Sequence, residues 1–332
     1  MSSQSKAAGG AGDLRIGVIG AGVMGSNHAR VLGTLPGVTL VGIVDPLEAH
    51  RNRAVELIGC RTFAALDEML AEGVDAVTIA APTHLHHEIA LACIARNIHV
   101  LVEKPIASTV AESNEIVEAA RKAGVTLMAG HVERFNPAVV AIKRAIEGED
   151  ILSIAIERVG PFPPRMSNVG VVIDLAVHDI DLIRWFTDSE IVEVQPQLAS
   201  TVAEREDIAL LQFRTASGVL AHINTNWLTP FKARSVTVAT REKYLMGNLL
   251  TRQVSECFGF QPDGSYSMRH LSVGHDEPLR AELMAFIESV QSGTTPPVTG
   301  EQAAASLEIA IQCLESRATP AAKANTLRRA AG

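Results

Sequence analysis

A strand–loop–helix–strand unit near the start of the chain constrains its fold most strongly. Residues 14–19 are mainly apolar, residues 20–25 read GAGVMG, helical sequence follows, and the apolar segment 38–44 ends at Asp45. The glycines of a G-x-G-x-x-G loop allow a tight turn and let the backbone approach a pyrophosphate at a helix N-terminus. An acid about 20 residues beyond the loop can hydrogen-bond a ribose diol. The unit therefore predicts dinucleotide binding by Gly20, Ala21, Gly22, Val23, Met24, Gly25 and Asp45.

Asp45 also bears on the choice of cofactor. A carboxylate at this position repels the 2′-phosphate of NADP, and no arginine follows until Arg51. We therefore expect NAD as the cofactor and consider NADP the weaker candidate.

Strands and helices continue to alternate after this unit. Strands are predicted at 75–80, 98–102 and 125–129, with helices at 88–96 and 111–123 between them. Alternation of this kind favours parallel pairing in a doubly wound α/β sheet. Residues that follow such strands lie at the carboxyl edge, where these sheets bind ligands. The predicted cofactor-bordering residues after the strand at 75–80 are Ala81, Pro82, Thr83 and His84.

A histidine cluster follows that same strand. His84, His86 and His87 are close in sequence, but adjacent histidines point in different directions and only Glu88 offers a further ligand nearby. We predict no metal at this cluster.

The strand at 98–102 ends in Glu103-Lys104-Pro105. A lysine at the carboxyl end of a buried parallel strand is placed to meet a ligand and can act as an acid or base. The alternative is an ordinary charged loop after a strand. We expect Glu103 to border the nicotinamide half of the cofactor.

The sequence changes character after about residue 130, and an antiparallel pattern follows. Segments 209–213 and 219–223 flank the turn signal Ser217-Gly218. Further strands are predicted at 151–159 and 235–239, an irregular proline-rich loop at 160–165, and helices at 138–146, 279–289 and 302–315. The predicted division is a disordered tail at 1–12, a Rossmann domain at 13–130 and a second domain at 131–332.

Residues 171–186 read as one apolar helix that contains titratable side chains. Asp174 and His178 are four residues apart and share a helix face. A carboxylate one turn from a histidine can fix its tautomer and raise its basicity, which suits proton transfer. The alternative is an ion pair on the solvent-exposed face of the helix.

Composition excludes several classes of function. The chain has 332 residues, a net charge of −8 and a pI of about 5.8, so no basic surface for nucleic acid or membrane is expected. No apolar run approaches the roughly 18 residues of a membrane helix. The four cysteines are scattered, as in a reducing compartment, and we expect a cytoplasmic protein.

Three motifs in this order resemble the Gfo/Idh/MocA oxidoreductase family: the glycine loop, Glu103-Lys104-Pro105, and Asp174-x-x-x-His178. The resemblance implies a Rossmann domain and a C-terminal α+β domain with a large, mainly antiparallel open sheet. It implies NAD(P)-dependent oxidation or reduction of carbon–oxygen bonds in sugars, inositols and related polyols. It also implies that Lys104 contacts substrate and nicotinamide, that Asp174 and His178 transfer the proton, and that the peptide bond before Pro105 is cis.

Segments 130–138, 158–165 and 169–185 resemble the nucleotide-sugar members, in particular the UDP-N-acetylglucosamine 3-dehydrogenases. This resemblance implies oxidation of the sugar 3-hydroxyl to a ketone. The candidate substrate-binding residues are His131, Arg134, Arg158, Arg165, Lys104, Asp174 and His178, the arginines being candidates for a diphosphate.

Two alternatives stay open for the function: an inositol or simple-sugar dehydrogenase, and a non-catalytic dinucleotide-binding regulator. An antiparallel sheet with one open face also predicts a homodimer or homotetramer.

Overall fold

The computed structural model describes residues 13–163 and 169–316, which form two compact units. The first comprises 13–135 together with 276–304, and the second comprises the described parts of 136–275 and 305–316. The predicted tail at 1–12 lies outside the described residues. The predicted division at residue 130 is corrected in one respect, because residues 276–304 belong to the first unit.

A six-stranded parallel sheet organises the first unit, in the order β3-β2-β1-β4-β5-β6. Its strands are β1 (Leu14–Ile19), β2 (Val38–Val44), β3 (Thr62–Phe63), β4 (Ala76–Ile79), β5 (His99–Glu103) and β6 (Leu127–Gly130). This order confirms the predicted doubly wound fold. The two-residue strand β3 has no periodic pattern in the sequence and was not predicted.

Nine α-helices accompany the two sheets in the described part of the chain. They are α1 (Val23–Leu32), α2 (Glu48–Ile58), α3 (Leu66–Leu70), α4 (His86–Ile94), α5 (Val110–Ala123), α6 (Pro137–Ala145), α7 (Val177–Thr187), α8 (Pro278–Ser292) and α9 (Gly300–Glu315). Helix α5 begins with a capping box, in which Thr109 Oγ1 accepts from Glu112 N, and ends at Gly124 in the left-handed conformation. No helix in the described ranges is long and apolar enough to cross a membrane.

Helix α8 explains why the first unit includes a distant segment. Its side chains Leu283 and Phe286 are fully buried in the same core as the six-stranded sheet. Burying an aromatic side chain and a leucine contributes roughly 2–3 kcal/mol each, which favours docking α8 here. A domain boundary predicted from the order of the sequence could not show that this distant segment packs in the first unit.

An eight-stranded sheet forms the centre of the second unit, in the order β14-β13-β12-β11-β7-β10-β9-β8. Its strands are β7 (Ile151–Pro161), β8 (Ile191–Ala199), β9 (Ile208–Thr215), β10 (Leu220–Asn226), β11 (Leu228–Thr240), β12 (Lys243–Asn248), β13 (Gln253–Phe258) and β14 (Ser267–His270). All neighbouring strands are antiparallel except β7 and β10, so the mainly antiparallel sheet is confirmed.

Two local predictions in the second unit need correction. Strand β7 continues to Pro161, although residue 160 was predicted to begin a loop, because a proline is tolerated at a strand end. The helix predicted over 171–186 is not uniform, since Val172–Ala176 is a π-helical turn that leads into α7. Such turns are rare and occur frequently at functional sites.

Candidate active site

The glycine loop of the first unit is shaped by close backbone contacts. A Cβ on Gly25 would lie 1.7 Å from Gly20 O, and Gly20 has a φ of +98° with Ala80 O 2.6 Å from its Cβ position. A side chain at either position would separate α1 from the strand ends. These two glycines therefore hold the N-terminus of α1 against the carboxyl edge of the sheet.

The structure leaves room for a pyrophosphate at this helix N-terminus. Gly22 precedes α1, and a Cβ there would meet nothing within 4 Å. The first turn of α1 carries no acidic residue, and Val23 and Met24 are exposed beside it. Free backbone N–H groups and the positive helix end favour an anion here, so the residues present fit a dinucleotide.

Asp45 joins the end of β2 to the glycine loop. Its Oδ2 accepts a hydrogen bond from Ala21 N at 2.8 Å, its Oδ1 accepts from Leu47 N at 2.9 Å, and His50 Nδ1 lies 3.1 Å from Oδ2. The Arg51 guanidinium donates to the carbonyls of Asp45 and Pro46. The acid thus sits beside the loop, in the position expected for ribose binding.

The Glu103-Lys104-Pro105 turn leaves the carboxyl end of β5, and its peptide bond before Pro105 is cis, as the family resemblance implied. Glu103 is buried, with its Oε1 accepting from His28 Nε2 at 2.9 Å and its Oε2 accepting from Lys104 N at 3.2 Å. Burial alone would raise the pKa of Glu103, but the hydrogen bond from His28, the charge of that ring and the charge of Lys104 hold this pKa below its ordinary value. Glu103 therefore anchors the turn as an ionised carboxylate.

The three histidines near β4 differ in burial and in their hydrogen bonds. His86 is buried, with Nδ1 2.9 Å from Pro105 O and Nε2 2.8 Å from Ala81 O, so it ties the loop after β4 to the lysine turn. Burial lowers the pKa of His86, although its two backbone hydrogen bonds act in the opposite direction. His84 is exposed and His87 pairs with Glu115 at 2.8 Å. The side chains diverge rather than converge on one ligand position.

In the second unit, Asp174 lies on the π-helical turn and His178 on the first turn of α7. Gly170 precedes the turn, and a Cβ on it would lie 1.8 Å from Glu206 Oε1. Glu206 is buried and its carboxylate accepts from Val172 N at 3.2 Å, which fixes where the helix begins. His178 is buried, whereas Asp174 is half-buried, so the acid is the more accessible of the two.

An open pocket of about 330 Å³ in the second unit includes Asp174 in its lining. Lys232 and Arg234, on β11, and Arg158, on β7, supply basic side chains, and Trp227 supplies an aromatic one. Phe162 packs edge-on against Trp227, with ring centroids 6.0 Å apart. Besides Arg158, which pairs with Asp179, the pocket combines one acid with the two cations Lys232 and Arg234 and an aromatic wall, which suits a polar, anionic ligand.

The arginines predicted to bind a diphosphate have different environments in the structure. Arg158 is buried, and its Nε and Nη2 donate to the carboxylate of Asp179 at 2.7–3.0 Å, so much of its charge is matched inside the protein. Arg134 is also buried and donates to Pro297 O and Gln302 Oε1 in the first unit, which argues against a diphosphate role. His131 is buried after β6. Arg165 lies outside the described residues.

Several site residues were missed from the sequence. Lys232 and Arg234 lie on a strand whose alternation is the only local signal, and Glu206 precedes a strand with no motif around it. His28 and Glu282 meet Glu103 only after folding. The position of His28, three residues beyond the glycine loop, was the one hint of that group in the sequence.

Comparison with known proteins agrees with this fold. The family model described as "Oxidoreductase family, NAD-binding Rossmann fold" matches residues 14–131, and the model of the Gfo/Idh/MocA C-terminal domain matches residues 155–245. The chain belongs to the Gfo/Idh/MocA family. It is therefore an oxidoreductase that acts on CH–OH groups and uses NAD, and Gly20–Gly25 and Asp45 lie in the matched NAD-binding region.

Relatives of known activity include two kinds of enzyme. UDP-N-acetylglucosamine 3-dehydrogenase of Acidithiobacillus ferrooxidans is 29% identical over 70% of this chain and 72% of that protein. Its solved structure, named GnnA, has a TM-score of 0.85 at 26% identity and covers 90% of this chain and 96% of that one. The scyllo-inositol 2-dehydrogenase (NAD(+)) of Bacillus subtilis is 28% identical over 91% of this chain and 94% of that protein.

Proposed function

We propose that this enzyme oxidises a secondary alcohol of a UDP-sugar with NAD, most specifically the 3-hydroxyl of UDP-N-acetylglucosamine, to give a keto-sugar. The observation that carries the proposal is the pocket that contains Asp174 together with Lys232 and Arg234. A neutral sugar or inositol needs no cations beside its reacting end, whereas a diphosphate is bound through charge-assisted hydrogen bonds.

The proposed roles follow from the chemistry of the side chains. His178 accepts the proton of the reacting hydroxyl, and Asp174 orients the imidazole. Lys104 donates a hydrogen bond to the same oxygen and stabilises the negative charge that develops on it. When bound, NAD supplies the hydride acceptor. Gly22 and the first turn of α1 hold the pyrophosphate, Asp45 holds the adenosine ribose, and Ala81 to His84 border the nicotinamide half.

Location and assembly stay predictions. A homodimer or homotetramer is supported by apolar side chains exposed on one face of the large sheet, among them Leu210, Leu220 and Met246. Side chains of this kind in neighbouring strands favour burial against a second copy.

An inositol or simple-sugar dehydrogenase is the second candidate. The full-length similarity to scyllo-inositol 2-dehydrogenase favours it. Both candidates use the same three side chains for the redox step, so only the substrate distinguishes them.

A substrate panel tests the proposal. NADH formation is followed with UDP-N-acetylglucosamine, other UDP-sugars, the corresponding free sugars, and myo- and scyllo-inositol at equal concentrations. We expect kcat/KM for UDP-N-acetylglucosamine to exceed that for free N-acetylglucosamine by at least about 100-fold, since the diphosphate adds several charge-assisted hydrogen bonds. Faster turnover of an inositol than of every UDP-sugar would support the second candidate instead.

The double variant Lys232→Ala/Arg234→Ala tests the pocket directly. Each lost charge-assisted hydrogen bond removes about 1.5–3 kcal/mol of binding, so the inhibition constant of UDP is expected to rise by roughly 100-fold or more. Arg214→Ala is the matched control, because Arg214 is an exposed arginine of the same unit that pairs with Glu193 away from the pocket. An unchanged inhibition constant in the double variant would show that nucleotide binding lies elsewhere.

A further inference from the structure

A cluster of three titratable side chains lies buried in the first unit and includes Glu103, the chain neighbour of Lys104. His28 comes from α1, Glu103 from the end of β5 and Glu282 from α8. One ring nitrogen of His28 and one carboxylate oxygen of each glutamate all lie within 4.8 Å of one another. His28 and Glu282 are fully buried and Glu103 is nearly so. Neither NAD binding nor proton transfer, as proposed above, uses Glu282.

Glu282 differs from the other two members in its hydrogen bonds. Glu103 and His28 bond to each other, but neither carboxyl oxygen of Glu282 has a hydrogen-bond partner among the residues that the structure describes. An ionised carboxylate without partners in an apolar interior costs several kcal/mol, and a buried group of this kind normally neutralises. The neutral acid is thus the form that this environment tolerates.

The His28 ring gives Glu282 no hydrogen bond. Its Nε2 donates to Glu103, while its Nδ1 is buried and unbonded within the described part of the chain. Glu103 therefore has the hydrogen bond of His28, and Glu282 is left without a donor that would stabilise its ionised form.

Other charged groups near α8 do not compensate Glu282. The one-turn helix Val132–Phe135 packs against α8 and carries Glu133 and Arg134, but Arg134 donates to Pro297 and Gln302. Arg30 pairs with Glu277 at the exposed end of α8. Burial, and then repulsion from Glu103, raise the pKa of Glu282 well above its ordinary value of 4.5.

We propose that Glu282 is a positioning residue of the redox site: it remains a neutral carboxylic acid at physiological pH, so that Glu103 carries the only negative charge of this cluster next to Lys104. A second charge at this place would compete with Glu103 for His28 and attract the Lys104 ammonium away from the reacting oxygen. The catalytic consequence rests on the function proposed above, whereas the protonation state does not.

The pH dependence of stability tests the protonation state without any substrate. A carboxyl whose pKa is raised by folding contributes stability that is complete below its ordinary value of 4.5 and is lost as the pH rises toward its folded pKa. In Glu282→Gln the amide is neutral at every pH, so this loss disappears. Between about pH 5 and the folded pKa, we expect the unfolding constant of the wild type to grow about tenfold per pH unit relative to that of the variant.

Urea unfolding from pH 5 to 9 measures this ratio. Glu288→Gln is the matched control, since Glu288 is an exposed glutamate on the same helix and should show a constant ratio. Infrared spectroscopy of the native protein gives a second readout, in which the carbonyl stretch of a protonated carboxyl is present in the wild type and absent from Glu282→Gln. The infrared spectra are recorded without denaturant, so they decide the question even if the variant is too unstable for urea titration.

The kinetic readout is the pH profile of kcat/KM. Ionisation of Glu282 should lower kcat/KM at alkaline pH in the wild type, and in Glu282→Gln this fall should move upward by roughly one pH unit or more. Identical alkaline limbs would overturn the positioning role. If no alcohol is oxidised by either protein, the proposed function fails while the stability and infrared measurements still decide the protonation state.

A bound cation is the outcome that would overturn the proposal outright. In that case elemental analysis would find a divalent metal in the wild type, a chelator would lower its melting temperature, and Glu282→Gln would be less stable at all pH values.

Discussion

Lys104→Met is expected to lower kcat by about 100-fold or more while leaving the dissociation constant of NAD within about threefold of the wild-type value. Methionine keeps the length of the side chain and removes the ammonium that donates to the reacting oxygen. The pyrophosphate and ribose contacts lie at Gly22 and Asp45, so cofactor binding should survive. Initial-rate NADH formation measures kcat, and isothermal titration calorimetry measures NAD binding.

Lys122→Met is the control for Lys104. Lys122 is an exposed lysine on α5 of the same unit and should tolerate the same substitution without loss of turnover. Turnover in Lys104→Met that equals the wild type would contradict the proposed mechanism. A parallel loss of NAD binding would instead mean that the lysine turn is needed for the shape of the cofactor site.

Gly25→Ala is expected to lower the free energy of unfolding by about 3 kcal/mol and to weaken NAD binding by at least about tenfold. The new Cβ would lie 1.7 Å from Gly20 O, which is backbone and cannot rotate away. Helix α1 must therefore move from the glycine loop, and its N-terminal N–H groups move with it. Urea unfolding and calorimetric NAD titration measure the two effects.

Gly22→Ala separates cofactor binding from stability at the same loop. Its Cβ would meet nothing within 4 Å, so the free energy of unfolding should change by less than about 0.5 kcal/mol. The methyl group would nevertheless occupy the space available to the pyrophosphate, and NAD affinity should fall. Wild-type affinity in both variants would show that the dinucleotide does not lie against this helix end.

The site residues that could be predicted from the sequence belong to short local motifs. The glycine loop, Asp45, Lys104 and the Asp174–His178 spacing each depend on a few neighbouring residues whose geometry a strand end or helix turn already fixes. The family resemblance added the cis peptide bond before Pro105, which the structure confirms. The predicted roles of these residues in catalysis stay predictions.

The interactions that could not be predicted from the sequence join residues far apart in the chain. His28 and Glu103 are 75 positions apart, and α8 returns from residue 278 to complete their surroundings. Arg158 was a candidate for a diphosphate, yet Asp179 matches its charge across 21 positions. No periodicity encodes such pairings, because they arise when packing brings two elements together and buried charges must find partners.

The sequence by itself determined the Rossmann domain, the antiparallel second sheet and the residues on which the redox chemistry is proposed to rest. These features follow from hydrophobic periodicity and from short motifs with fixed local geometry. Only the tertiary structure decided which charged side chains line a pocket and which form buried pairs inside the protein. The physical reason is desolvation, since the energy of a charge depends on the distant segments that exclude water from it, as α7 does for Arg158 on β7.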